Sequence, residues 1–189
     1  MSYKSKKAVI GVVLGSLIAG MSFSSTAFAA ASDRSKKAVT ASVTCGGTYY
    51  VGNSGIEIQR STYVMRNLSD VGSIYIDRIR VFDAKGVSLF DSDVTGIPAS
   101  RNNIITPIDN SIEPRQSANV RIQDIIPMQG RFNRPLQTVI DWSADEPMLT
   151  LNVGNVRTTA AYDSATAKIG AQSGRHFSSC RMTERTKRY

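Results

Sequence analysis

Histidine is nearly absent from this chain: His176 is the only one among 189 residues. A hydrolytic triad needs an imidazole aligned with a nucleophile and an orienting acid, and no G-x-S-x-G elbow accompanies this one. Cysteine is almost as scarce. Cys45 and Cys180 are the two present, and they lack the close C-x-x-C spacing of a redox pair or a zinc site. A single apolar run, Ala8 to Phe23, stands near the start, and no second one follows. No internal repeat is visible. The expectation is a protein without catalytic residues, metal or cofactor, and so not an enzyme.

The apolar run belongs to a segment with the order of an export signal. Lys4, Lys6 and Lys7 precede it, and Ala27-Phe28-Ala29 supplies the small-x-small pattern that a bacterial signal peptidase reads. The run is short for a membrane span. Residues 1–29 are therefore read as a signal peptide, 30–37 as a flexible lead, 38–174 as the folded domain and 175–189 as a basic tail. The protein is expected to be periplasmic or secreted, with no transmembrane span in the mature chain.

The net charge of +8 becomes informative once it is apportioned. Without the three signal lysines, 20 basic residues face 15 acidic ones. Most of the excess lies in Arg175, Arg181, Arg185, Lys187 and Arg188, opposed only by Glu184, and in the lead around Lys36 and Lys37. The body is close to neutral. A nucleic-acid-binding fold carries its basic stripe on the folded surface, so nucleic acid is not an expected partner.

The body reads as short strands. Val39, Ala41 and Val43 alternate with Thr40, Ser42 and Thr44, the period of a half-buried strand. Ile56 to Asn67 is extended, with Ile56, Ile58, Tyr63 and Met65 as inward residues. Ile74 to Asp91 holds two β-branched and aromatic runs about Asp83-Ala84-Lys85-Gly86, a type I turn closed by a glycine in the left-handed region. Between Ser92 and Ser111, Asn103 to Thr106 is expected as a short edge strand, limited by Pro107. Ser117 to Ile126, Leu136 to Trp142 and Met148 to Thr158 complete the strands. Ala160 to Ala171 has helical character. Seven or eight strands in about 160 residues predict a single immunoglobulin-like antiparallel β-sandwich. Two cysteines in an exported chain predict one disulfide, Cys45–Cys180, tethering the tail at its root.

Four short pieces occur in a suggestive order: Met65-Arg66-Asn67, Phe82 to Gly86, Glu113 to Ser117, and Asp141 to Pro147. Over Tyr63 to about Thr150 the chain resembles a family of small exported bacterial β-sandwich proteins of unassigned function. The resemblance implies the fold and no activity.

Binding is expected at two places. Arg131, Phe132 and Arg134 lie in a proline-bracketed loop and combine the aromatic and guanidinium groups that dominate interfaces. Arg181, Arg185, Lys187 and Arg188 make the tail cationic, suited to a protein or an anionic envelope component. The alternative function is a small hydrolase or carbohydrate-active enzyme using Asp141, Asp145 and Glu146 beside Trp142. Asp91 to Gly96 opens like a calcium loop, but Asn102 stands where the closing Glu belongs.

Overall fold

A computed structural model describes residues 37–52, 55–130 and 132–187. The proposed signal segment, the lead through residue 36, Arg131 and Arg188 lie outside the described residues. The strands are β1 (Val39–Gly46), β2 (Tyr49–Gly52), β3 (Glu57–Asn67), β4 (Ile74–Asp83), β5 (Ser88–Asp91), β6 (Ser111–Ile112) and β7 (Ser117–Arg121). They continue with β8 (Pro135–Ala144), β9 (Leu151–Asp163), β10 (Lys168–Ser179) and β11 (Arg181–Lys187). A single-turn helix, α1 (Ser92–Thr95), follows β5.

These strands form an all-β, immunoglobulin-like sandwich of two antiparallel sheets. One runs β11-β1-β8-β4-β5, with β6 also on β4; the other runs β10-β9-β3-β2, with β7 also on β3. The alternation read from the sequence sets the core. Val39, Ala41, Val43 and Cys45 point inward from β1, Tyr63 and Met65 from β3, and Ile140 and Trp142 from β8. Each buried aliphatic or aromatic side chain contributes about 1.5–3 kcal/mol relative to exposure.

The turn after β4 is the one expected. Gly86 has φ 79°, its N–H donates to Asp83 O at 3.2 Å, and Asp83 Oδ1 accepts from Lys85 N and Val87 N. Ile56 differs from expectation, being exposed, because β3 begins one residue later. No strand covers Asn103 to Thr106. That stretch follows α1 as turns, with Ile105 packed into the core and Ser100 closing on its backbone.

Two larger corrections lie near the C-terminal end. Ala160 to Ala171 is not helical: β9 continues to Asp163, turns, and returns as β10. Pairing of β9 with β3, from Leu151 through Ala161, overrides the local alanine preference. The region read as a basic tail is also strand through Lys187. Residues 175–179 complete β10, and β11 pairs along β1 from Thr44↔Arg181 to Val39↔Lys187. Lys37, assigned to the flexible lead, is held as well, with Nζ 2.7 Å from Asp145 and 3.6 Å from the Tyr75 ring centroid.

Cys45 and Cys180 are disulfide-bonded, with 4.6 Å between their Cα atoms. Cys180 is the residue at which the chain leaves β10 in one sheet and enters β11 in the other. The bond therefore staples β1 to the crossover between sheets. A closed loop of 135 residues corresponds to roughly 4–5 kcal/mol in the chain-entropy account.

Candidate functional site: a cationic sheet edge

The two sides of the sandwich end differently. On one side each terminal edge is divided into two short strands: β5 and β6 sit end to end along β4, and β2 and β7 sit end to end along β3. Short edge strands present few unpaired backbone groups. On the other side the edges are β10 and β11, 12 and 7 residues long. Among the described residues nothing pairs with the outer edge of either.

The hydrogen-bond phase of β10 follows from one contact. Cys180 N donates to Val153 O at 3.0 Å, which makes Cys180 and Val153 a hydrogen-bonded pair. In an antiparallel ladder such pairs alternate with non-bonded ones. From Gly174↔Thr159 to Ser179↔Gly154 the register has no shift. Gly174, His176 and Ser178 therefore bond to β9, whereas Arg175, Phe177 and Ser179 turn their N–H and C=O groups to the open edge.

The side chains of Arg175, Phe177 and Ser179 share the outer face of the sheet. Phe177 lies across Gly154, on the neighbouring strand: a Cβ built on Gly154 would stand 2.6 Å from Cε2 and Cζ of the ring. The missing side chain at Gly154 is what lets the ring lie flat, a cross-strand arrangement that protects a glycine and holds an aromatic. Even so, the ring remains 53% exposed. Arg175 shares its strand and face, while His176 and its β9 partner Arg157 take the opposite face. Lys168 on β10 and Arg181 and Lys187 on β11 are exposed as well.

The predicted binding residues divide. Arg181 and Lys187 are exposed on β11. Arg185 is not available in the same way: its guanidinium donates to Pro147 O at 2.9 Å, Leu149 O at 3.0 Å and Thr150 Oγ1 at 3.1 Å. It fastens the β8–β9 connection. Phe132 is 85% exposed, while Arg134 stacks on the Tyr50 ring at 4.8 Å. Tyr50 lies on β2, at the opposite side of its sheet from β10, so the loop and the basic strands are not one surface. Arg157 and Phe177 were not among the residues expected from sequence, and Arg175 was counted only in the charge of the tail. The signal was the alternation of Arg175, Phe177 and Ser179, obscured by the lack of apolar partners around them.

The acids around Trp142 are separated by the pleat. Trp142 is wholly buried in the core, and Asp141 faces the other way. Asp141 accepts from Ser42 Oγ at 2.5 Å and from Arg80 Nη2 at 2.9 Å. Asp145 accepts from Lys37 and Tyr75, and the Lys37 hydrogen bond holds its carboxyl below the usual range. Asp91 caps α1 and accepts two bonds from Arg78, which also lowers it, while Asp93 pairs with the same guanidinium. Carboxylates committed to cations in this way are poor proton donors. No group of three or more His, Cys, Asp or Glu suited to a metal occurs among the described residues. No helix among them is long and apolar enough to cross a membrane.

Comparisons with family models, curated proteins and solved structures gave no match to this chain.

Proposed function

We propose that this protein is an exported, non-catalytic binding module of the bacterial envelope or its surroundings, and that it holds an acidic protein partner against the edge formed by β10 and β11. The observation that carries this reading is the pairing of two long open edge strands with exposed Arg175, Arg181 and Lys187 and the fixed, half-exposed ring of Phe177. Aromatic and guanidinium groups are the usual anchors of interfaces. Exposed cations add little to stability, but they accelerate and orient encounters with anionic surfaces. The carboxylate enzyme considered from sequence draws no support from acids bound in ion pairs, with Trp142 on the far side of the sheet.

The test compares the wild type with the triple variant Arg175→Glu, Arg181→Glu, Lys187→Glu. Immobilised polyglutamate and vesicles of acidic phospholipid serve as the two anionic surfaces, each across a salt series. Retention of the wild type on polyglutamate, fading with salt and lost in the variant, is expected. Equal retention of both proteins overturns the edge as the binding surface. Retention on vesicles alone replaces the protein partner with an envelope lipid.

A further inference from the structure

Resting on that reading of the edge, we propose that β10 takes an acidic, extended segment of another protein as an added antiparallel strand, seated along Gly174 to Ser179. Strand addition needs an edge that is regular, open and several residues long. Gly174 to Ser179 meets each condition. Its register on β9 has no shift, its outer side is unpaired among the described residues, and Arg175, His176, Phe177 and Ser179 are exposed. The phase set by Cys180 and Val153 directs the N–H and C=O groups of Arg175, Phe177 and Ser179 to the incoming chain. Both termini of that strip are marked. Register shifts between Ile169 and Gly174 break the ladder on one side, and the crossover at Cys180 ends it on the other.

The side chains select the occupant. Arg175 and Phe177 project from one face of the strip, two residues apart, so an added strand meets a cation and then an aromatic ring on that face. Arg157 and His176 present a guanidinium and an imidazole on the other face. β10 itself contains no Asp or Glu. An incoming strand with acids and apolar residues complements both. A second copy of this chain does not, because it brings the same cations to the other side of the seam and no carboxylate from β10 to meet them.

The test follows backbone amides of the isotopically labelled protein by hydrogen exchange in NMR. The free protein should show slow exchange at His176, Ser178 and Cys180 and fast exchange at Arg175, Phe177 and Ser179. The probe is a peptide of about ten residues alternating glutamate and valine, a length that spans a typical strand. Its binding should slow exchange at Arg175, Phe177 and Ser179 selectively. The same peptide N-methylated at alternate residues should not bind. Ser179→Pro removes an outward N–H without losing a bond to β9, and should weaken binding roughly tenfold. Binding of both peptides alike, without protection of those amides, overturns strand addition and leaves the electrostatic edge standing. No binding of either peptide at low salt overturns both. Concentration-dependent protection of the same amides without peptide assigns the edge to self-association and overturns the acidic partner.

Discussion

The hydroxyl of Tyr63 on β3 meets the hydroxyl of Thr138 on β8 at 2.6 Å, joining the two sheets in the interior. Both residues are fully buried, and burial pushes the Tyr63 phenol far up from its ordinary value. Tyr63→Phe leaves Thr138 without this partner and should cost about 1–3 kcal/mol. Gly47→Ala should disturb the same bond from outside, since its Cβ would lie 2.5 Å from Tyr63 Oη and 3.2 Å from Thr138 Oγ1. Urea unfolding of the two single variants and the double variant should give less than the sum of the singles.

Arg185 and Arg181 stand four positions apart on β11 and should behave differently. Arg185→Ala strips three hydrogen bonds from the β8–β9 connection, leaving the carbonyls of Pro147 and Leu149 without that donor. A loss of about 1–3 kcal/mol is expected. Arg181→Ala should fall within about 0.5 kcal/mol of the wild type, as surface substitutions do. Thermal melts of both variants check the contrast, and equal melting temperatures would place Arg185 among ordinary surface cations.

Two glycines with nearly equal φ separate backbone strain from crowding. Gly86 (φ 79°) has open space where a Cβ would go, so Gly86→Ala should cost about 1–2 kcal/mol from conformation alone. Gly72 (φ 75°) would place its Cβ 2.8 Å from Leu149 Cδ1, which is itself buried. Gly72→Ala must therefore cost more. Chemical denaturation of the pair reads the difference directly.

The ion pair of Arg78 with Asp91 predicts part of the acid response. The carboxyl of Asp91 sits below its unfolded value because of the Arg78 hydrogen bond. A depressed carboxyl contributes stability above the unfolded value and loses it as pH falls through the folded one. Stability should thus decline below about pH 4. Arg78→Met removes the cause of the depression and should make that decline shallower, measured as the urea midpoint across an acid series.

Local chemistry made part of this fold legible. Alternation in Val39 to Cys45 fixed which face of β1 is buried, and Asp83 with Gly86 fixed a turn, because both depend on neighbours in sequence. Two scarce cysteines left one intrachain pairing. The β9–β10 hairpin was hidden for the opposite reason. Ala160, Ala161, Ala165 and Ala167 favour helix locally, but pairing of β9 with β3, about 100 residues earlier, makes Ala160 and Ala161 extended and leaves Ala165 and Ala167 in the turn before β10. The binding edge was less legible still. A sequence can mark Arg181 and Lys187 as cations, but which strand ends a sheet depends on every pairing made elsewhere. Arg185 shows the cost of reading charge alone, since long-range geometry turned it from ligand contact to fastener.

Cys45 and Cys180 also impose a timetable. Their separation of 135 residues means that, at about 5–20 residues synthesised per second, the first thiol emerges on the order of ten seconds ahead of its mate. For most of that interval β1 lacks β8, and for all of it β1 lacks β11, because both neighbours follow late in the chain. With one intrachain pairing available, there is no wrong bond for an isomerase to undo. The hazard is instead a crosslink between two chains in which Cys45 meets an oxidant before Cys180 is in place, so yield should depend on chain concentration in the oxidising compartment more than on shuffling.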